Sequence, residues 1–299
     1  MPPGGQAWGD SLELNNAPQI DCASTKSGKV FFFGGPAGFA SFNLATNQWD
    51  TTPPTFGSAD VKFANLKDQT AVRAAVHPDG TTISIVTATA YLKFDSISNT
   101  IVGMHHNMKN GIRGFCLTVV PDLNLPVICG GISSEGYHPF CLSFSLSGPT
   151  IFGPQMLAGE AGCLLFPYRS GMILIPGYLQ TYENNQAPGD NSPNPQIHFL
   201  SGDSSQPWVN ITNLNTGMFS IRTYAQGLVV PGTNTAVIYG GAGPRGTLRD
   251  DFHIIDLTKQ TWLSRVDPIP GAFISQSLSP TTTGTDPAGP TGSSTISDK

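Results

Sequence analysis

Six histidines and five cysteines are the side chains of this chain that could bind a metal ion through nitrogen or sulfur. No two cysteines have the CxxC spacing that would bring two thiolates to one ion. The only adjacent histidines are His105 and His106, and neighbouring side chains of an extended chain point in opposite directions. The other histidines are scattered along the sequence: His77, His138, His198 and His253. We therefore predict no metal site and no cofactor.

The cysteines are odd in number, and most of them lie in apolar segments. Cys22, Cys116 and Cys163 occur in DCAS, RGFCLTVV and AGCLLF. Because unpaired cysteine is among the most deeply buried residue types, we expect small buried side chains without partners. As an alternative, Cys129 and Cys141 could face each other on neighbouring strands and form a disulfide, but disulfide pairing cannot be deduced from a sequence alone.

Three arginines occur in similar surroundings, which suggests an anion-binding site. Arg73, Arg113 and Arg222 lie in AVRAAV, GIRGFC and SIRTYA, each at or just before an apolar run. If these runs are equivalent strands around an axis, the guanidinium groups could form a cationic mouth for a carboxylate or an acidic peptide. Alternatively, each arginine bonds backbone carbonyls between neighbouring units.

The elements that would position these residues are defined by an internal repeat. Each unit is an apolar strand, a tight turn with proline or glycine, and a second apolar strand that often ends in Gly-Gly. The copies lie at 22–35, 75–88, 118–131, 164–177 and 228–241. A second pattern of spaced aromatic or apolar residues follows each copy and closes on a large side chain. The closing residues are Trp49, Ile101, Ile151, Trp208 and Trp262.

A repeat of about 50 residues that holds four short strands is typical of a propeller blade. We therefore predict an all-β propeller of about five four-stranded blades, with the closing residues packed between adjacent blades. Residues 8–14, WGDSLEL, read as an additional N-terminal strand. This strand either completes the last blade or is the remainder of a sixth blade.

The segment VIYGGAGPRGTLRDDFHIIDLTKQTW, at 237–262, resembles a kelch repeat, and residues 30–49 resemble one with a shorter loop. The other three copies depart from the pattern, since the second lacks Gly-Gly and the fourth has Pro-Gly. The resemblance covers about residues 8–267 and implies a kelch-type propeller over residues 1–270. Kelch propellers serve many roles, so the fold does not fix the chemistry.

We expect a non-enzymatic binding scaffold, in which loops on one rim contact a protein or glycan partner. The loops concerned are those between second and third strands: Pro36–Gly38, Ser133–Pro139, Tyr178–Gln196 and Ala242–Arg249. Tyr178 and Tyr182 begin the longest of them and form a candidate contact patch. Arg245 and Arg249 would suit an acidic partner.

The alternative is a propeller enzyme with its site at the channel mouth. A copper radical oxidase-like site requires two tyrosines, two histidines and a cysteine beside one tyrosine, and the sequence does not supply that grouping. A sialidase-type glycoside hydrolase would carry SxDxGxxW turns, which are missing, and no paired carboxylates suggest general acid–base work.

Composition limits the partner and the location. A net charge of -5 and an isoelectric point near 5.6 argue against nucleic acid as a partner. We predict no membrane-spanning segment, and no signal peptide is visible. Residues 271–299 are rich in Ser, Thr, Pro and Gly, which predicts a disordered tail or stalk.

A propeller followed by such a stalk resembles the kelch-containing surface proteins of fungi. We therefore expect an extracellular or cell-surface protein, with a cytoplasmic location as the alternative. Asn210 begins an Asn-Ile-Thr sequon and is a candidate glycosylation site.

Overall fold

Short apolar runs separated by turns form all the regular structure of the described chain. The computed structural model describes residues 20–56, 66, 71–106, 111–134, 136–156, 159–168, 170–180, 197–203, 205–211, 225–230, 233–242 and 249–263. Within these ranges every regular element is a β-strand, and no helix that could cross a membrane occurs. The chain divides into two units, Met1–Val266 and Asp267–Lys299, and the second unit lies outside the described residues.

The first two blades show the plan of all five, which is a four-stranded antiparallel sheet in chain order. Blade 1 consists of β1 (Ile20–Ser24), β2 (Lys29–Gly34), β3 (Gly38–Asn43) and β4 (Gln48–Asp50). A short strand, β5 (Thr55–Phe56), then runs parallel to the outer strand of blade 2. Blade 2 consists of β6 (Val72–Val76), β7 (Thr82–Thr87), β8 (Ala90–Asp95) and β9 (Thr100–His106).

Blades 3 to 5 repeat this plan and add four short strands. Blade 3 is formed by β10 (Cys116–Val120), β11 (Leu125–Cys129), β14 (Cys141–Ser145) and β15 (Gly148–Phe152), with β12 (Ile132–Ser133) and β13 (Gly136–Tyr137) inserted as a hairpin. Blade 4 is formed by β17 (Leu164–Tyr168), β18 (Gly171–Ile175), β20 (His198–Leu200) and β21 (Val209–Asn210). The strands β16 (Gly159–Ala161) and β19 (Tyr178–Gln180) pair beside it. Blade 5 is formed by β22 (Gln226–Val229), β23 (Thr235–Tyr239), β24 (Phe252–Asp256) and β25 (Thr261–Leu263).

The blades pack face to face, and apolar side chains fill the seams, by which we mean the interfaces between adjacent blades. Four clusters of buried side chains lie between blades 1 and 2, 2 and 3, 3 and 4, and 4 and 5. In the first seam, Phe31 and Phe33 of blade 1 contact Phe94 of blade 2. The predicted all-β propeller with five four-stranded blades is therefore confirmed. Residues 8–14 lie outside the described residues, and blade 5 has four strands of its own.

The turns between third and fourth strands share a construction. Asn47, Asn99 and Gln260 adopt left-handed backbone conformations, with φ of 56°, 51° and 54°. Four residues before each of them, an Asn or Asp side chain accepts hydrogen bonds from the turn amides. These residues are Asn43, Asp95 and Asp256. The side chain thus satisfies backbone donors that the tight turn leaves unpaired.

Two sequence-based expectations are wrong. Trp49 and Ile151 do not pack between blades but are 62% and 74% exposed, whereas Ile101 is buried as expected. The four buried cysteines are not unpaired, since Cys116 is bonded to Cys163 and Cys129 to Cys141. Cys22 is the free cysteine, and it is exposed instead of buried.

Candidate binding surface

The connections between second and third strands lie on one rim of the propeller, which we call the upper rim. Ile20 at the start of β1 pairs with Gly34 at the end of β2. Cys116 at the start of β10 likewise pairs with Cys129 at the end of β11. Antiparallel pairing therefore places these connections beside the beginnings of the innermost strands. The loops Pro36–Gly38 and Ser133–Pro139 lie on this rim, and most of Tyr178–Gln196 and Ala242–Arg249 lies outside the described residues.

Above blades 3 and 4 the upper rim carries additional structure, which we call the crown. The crown consists of β12, β13, β16 and β19. Ile132 and Ser133 of β12 pair with Tyr137 and Gly136 of β13. The strands β13 and β16 are neighbours, so the two small sheets lie against each other. Among the described residues, the crown is the most extended structure on this rim.

Backbone geometry fixes the base of the crown at a pair of glycines. Gly131 has a φ of 100°, which side chains of L-residues rarely adopt. A Cβ atom at Gly131 would lie 2.9 Å from the carbonyl oxygen of Arg113, so glycine is required there. Arg113 and Ile132 exchange two backbone hydrogen bonds of 2.9 and 2.8 Å. The chain entering blade 3 is thereby tied to the crown.

The buried side chain of His138 connects several residues of the crown loop. Its ring is buried, and Nε2 lies 2.8 Å from the hydroxyl oxygen of Ser133, so the two share a hydrogen bond. The backbone N–H of His138 donates to the carbonyl oxygen of Gly131 at 2.9 Å, and its ring packs edge-on against Phe140. His138 therefore connects the two sides of the loop.

Two disulfides lie beneath the crown. Cys129 ends β11 and Cys141 begins β14, so their bond closes the loop 130–140 at both ends. The bond from Cys116 to Cys163 joins the innermost strand of blade 3 to the residue that precedes the innermost strand of blade 4. Covalent closure reduces the conformational freedom that a loop would lose on binding. The crown is thus a preorganised surface.

The candidate arginines lie at different places in the fold. Arg73 is in β6 and borders the central cavity, where its Nη1 donates to the carbonyl oxygen of Val72 at 3.0 Å. Arg113 is on the upper rim, three residues before its blade's innermost strand begins. Arg249 is on the rim of blade 5, and its buried Nε has no hydrogen-bond partner in the part of the chain that is described. Arg222 and Arg245 lie outside the described residues.

The candidate tyrosines cannot be placed as a contact patch. The backbone of Tyr178 is in β19, where it pairs with Ala161 of β16, but its side chain is outside the described part. Tyr182 lies outside the described residues altogether. Tyr178 nevertheless belongs to the crown through its strand.

A central cavity of about 610 Å³ is bordered by the innermost strands of all five blades. The carboxylate of Asp21 accepts backbone N–H groups of Cys22 at 2.9 Å and of Ala74 at 2.8 Å. Burial raises the pKa of Asp21, and the positive charge of Arg73 acts in the opposite direction. The bond to Ala74 links the innermost strand of blade 1 to that of blade 2, so Asp21 joins neighbouring blades.

The histidines are distributed over several blades. His77 binds Asn124 and Ser84 through its two ring nitrogens, each at 2.7 Å, while Nε2 of His253 lies 2.8 Å from Asp251. In the described residues, no three His, Cys, Asp or Glu side chains form a group that could hold a metal ion. Asn210, the sequon residue, is exposed on β21, the outer strand of blade 4.

Neither the models of known protein families nor the curated proteins give a match to this sequence.

The crown is not predictable from the sequence, because its strands are only two or three residues long. One signal was available, since Gly130-Gly131 and two cysteines 12 positions apart bracket the loop. This short spacing is compatible with the alternative given above, in which Cys129 and Cys141 form a disulfide between neighbouring strands. Nothing in the sequence indicates the bond between Cys116 and Cys163.

Proposed function

We propose that this chain is an extracellular kelch-type propeller that binds a protein or glycan partner through its crown and catalyses no reaction. The observation that carries this proposal is the loop 130–140, which the Cys129–Cys141 disulfide closes and which His138 braces. A rigid, covalently closed loop on a rim loses little conformational entropy when it binds. Loops positioned by a rigid scaffold commonly carry binding residues.

The kelch assignment is supported by the fit of the sequence pattern to the blades. In the segment 237–262, the apolar run falls in β23, the Gly-Gly pair follows it, and the aromatic and apolar positions fall in β24 and β25. The shorter segment 30–49 falls in β2, β3 and β4 in the same way.

An extracellular location is supported by the disulfides. Two buried disulfides in one domain are typical of proteins that fold in an oxidising compartment, because cytosolic thiols are kept reduced. The exposed sequon residue Asn210 is also compatible with passage through a secretory pathway.

A non-enzymatic role is supported by the structural tasks of the polar side chains. Asp79, Asp95 and Asp256 accept hydrogen bonds from backbone N–H groups of the turns in which they lie. His77 connects blade 2 to a turn of blade 3, and Asp21 connects blades 1 and 2. These groups stabilise the scaffold, as expected of a protein that presents loops.

The proposal is tested with glycan arrays and with candidate surface proteins immobilised at defined density. Ser134→Arg alters an exposed position of the crown loop, and Ser147→Arg alters an exposed turn on the opposite rim. We expect the crown variant to lose at least about tenfold in affinity and the control to bind like the wild type. Equal binding by both variants, or turnover of the bound ligand by the wild type, would overturn the proposal.

A further inference from the structure

The seam between blades 5 and 1, which we call the fifth seam, is built differently from the other four. Each of the other seams contains one cluster of buried apolar side chains, and the fifth seam has none among the described residues. The innermost strands of consecutive blades are neighbours from β1 through β6, β10 and β17 to β22. A comparable contact between β22 and β1 is missing, although both strands are fully described.

The central cavity extends into the fifth seam and has one wall on each blade. Directly paired residues and alternate residues of a strand point to the same face of a sheet, so the register defines the two walls. The wall on blade 1 belongs to β1 and β2, and the wall on blade 5 belongs to β22 and β23. The lining residues of the two walls are Ile20, Cys22, Ser24, Val30 and Phe32 on blade 1, and Gln226, Leu228, Val237 and Tyr239 on blade 5.

The opposite faces of both sheets are already packed. Phe31 and Phe33 of β2 pack towards blade 2, so Phe32 between them points into the fifth seam. Ala236 and Ile238 of β23 pack towards blade 4, so the alternate residues of that strand also point into the fifth seam. The two walls therefore border the same space from opposite sides.

The walls are apolar and carry no charged residue. Ile20, Leu228 and Tyr239 line the cavity and are each more than half exposed, and concave apolar surface of this kind is typical of ligand sites. Neither wall contains an Asp, Glu, Lys, Arg or His residue. Burial and the nearby carboxylate of Asp21 both raise the pKa of the Cys22 thiol, so this group is uncharged at neutral pH.

The charged residues of the cavity lie on its other side and are bonded to the backbone. The carboxylate of Asp21 accepts N–H groups of Cys22 and Ala74, and Arg73 donates to the carbonyl oxygen of Val72. Their opposite charges oppose each other, so the cavity offers no net charge to a ligand. A charged ligand would lose its hydration between the two walls without meeting a group of opposite charge there.

We propose that this cavity binds an uncharged, largely apolar small molecule, whose body lies between Phe32 of blade 1 and Leu228 of blade 5. The volume of about 610 Å³ suits such a ligand, since sites for drug-sized molecules enclose about 300–1,000 Å³. Gln226 begins β22 and pairs with Tyr239, the last residue of β23, so both lie at the upper-rim end of their wall. Leu228 and Val237 lie deeper. The apolar part of the ligand therefore enters first, and a hydroxyl or carbonyl group meets the amide and the phenol at the mouth.

The first experiment compares two fluorescent probes that differ by one charge. N-phenyl-1-naphthylamine is uncharged, and 8-anilinonaphthalene-1-sulfonate has the same aromatic skeleton with a negative sulfonate. We expect the uncharged probe to bind the full chain saturably, with one probe per chain. The sulfonate should bind at least about tenfold more weakly, because the walls offer it no counter-charge.

Two matched variants locate the probe. Leu228→Asp places a charge on the wall of blade 5, and Ile151→Asp places the same charge on an exposed apolar position of β15 that does not line the cavity. We expect at least about a tenfold loss of affinity for the uncharged probe in Leu228→Asp and less than about a twofold change in Ile151→Asp. If Leu228→Asp does not fold, Leu228→Trp narrows the same space without a charge and should weaken binding by about tenfold.

Cys22 provides an independent readout inside the cavity. It lines the cavity and is exposed, and all other cysteines of the chain are in disulfides. A saturating concentration of the uncharged probe should therefore slow the labelling of Cys22 by an uncharged maleimide about tenfold at one fixed pH. The same concentration of probe should give much less protection in Leu228→Asp.

Several results would overturn the proposal. These are the lack of saturable binding by the wild type, equal affinity for the two probes, equal affinity of the two aspartate variants, and labelling of Cys22 that the bound probe does not slow. One probe per two chains would place the site between copies and would also contradict it. Binding at the crown uses other residues, so failure here leaves the proposed function standing.

Discussion

Cys116, on the innermost strand of blade 3, is disulfide-bonded to Cys163, which directly precedes the innermost strand of blade 4; their Cα atoms are 5.4 Å apart. This bond joins two blades, whereas the Cys129–Cys141 bond joins two strands of the same blade. The seam between blades 3 and 4 is therefore held by a covalent bond as well as by apolar packing.

Removal of the bond between blades should destabilise the chain more than removal of the bond within blade 3. The Cys116–Cys163 bond spans 47 positions and the Cys129–Cys141 bond spans 12. Loop-closure entropy then gives losses of about 4 kcal/mol for Cys116→Ala/Cys163→Ala and about 3 kcal/mol for Cys129→Ala/Cys141→Ala. Urea denaturation measures both. Cys22→Ala is the control and should unfold like the wild type, and a double variant that is as stable as this control would contradict the prediction.

Much of the fold is predictable from the sequence, because each blade repeats the same local pattern of strands and turns. The apolar runs and the Gly-Gly pairs mark the second strands, and the turn side chains Asn43, Asp95 and Asp256 recur at equivalent places. Seam packing is less predictable. Trp49 pairs with Phe42 as Trp262 pairs with Ile255, but Trp262 packs against the cluster between blades 4 and 5, whereas Trp49 is 62% exposed.

The candidate site is less predictable than the fold, since it depends on contacts between units. Cys116 and Cys163 belong to different blades, and only the ring geometry brings them together. The crown depends likewise on the neighbouring positions of β13 and β16, which come from blades 3 and 4. The repeat pattern in the sequence makes all units equivalent, so it cannot predict contacts that occur between only two of the blades.

His77 should make the stability of the propeller depend on pH. Burial holds the pKa of His77 below its usual value of 6.5, and the charge of Lys93 acts in the same direction, against the opposing effects of Asn124 and Asp79. The unfolded chain therefore takes up a proton at a higher pH than the folded one. The contribution of His77 to the free energy of unfolding is complete above about pH 6.5. This contribution is lost as the pH falls towards the pKa that His77 has in the folded chain.

The measurement is a series of urea unfolding curves on the acid side of neutrality. We expect the free energy of unfolding of the wild type to fall with pH, and His77→Gln to show a shallower dependence. Some dependence should persist in this variant, because burial also lowers the pKa of His198. Identical slopes for the two proteins would show that His77 does not titrate differently on folding.

Phe94 should be among the most sensitive positions of the core. Its ring is fully buried in the seam between blades 1 and 2, with centroids 5.2 Å from Phe31, 5.7 Å from Phe33 and 5.9 Å from Phe39. Phe94→Ala should lower the free energy of unfolding by about 4 kcal/mol, since the cavity cannot collapse among rigid rings. Trp49→Ala, which removes a larger but mostly exposed ring, should cost about 1 kcal/mol. Chemical denaturation ranks the two variants, and a larger loss for Trp49→Ala would refute this assignment of the core.

Asn210 should carry a glycan when the chain is made in a eukaryotic secretory host. It is exposed on the outer strand of blade 4, whereas the next residue, Ile211, is buried and anchors the strand through a backbone bond to Ile197. A glycan on the outer edge would extend into solvent without displacing core side chains. Intact-mass measurement before and after an amidase that removes N-glycans should therefore show a loss of mass at this site. Asn210→Gln should abolish that loss with little change in thermal stability, because residue 210 is exposed on an outer strand and glutamine keeps the side-chain amide. A wild-type chain that reaches the medium unmodified would show that the edge of blade 4 is not accessible to the transferase during folding.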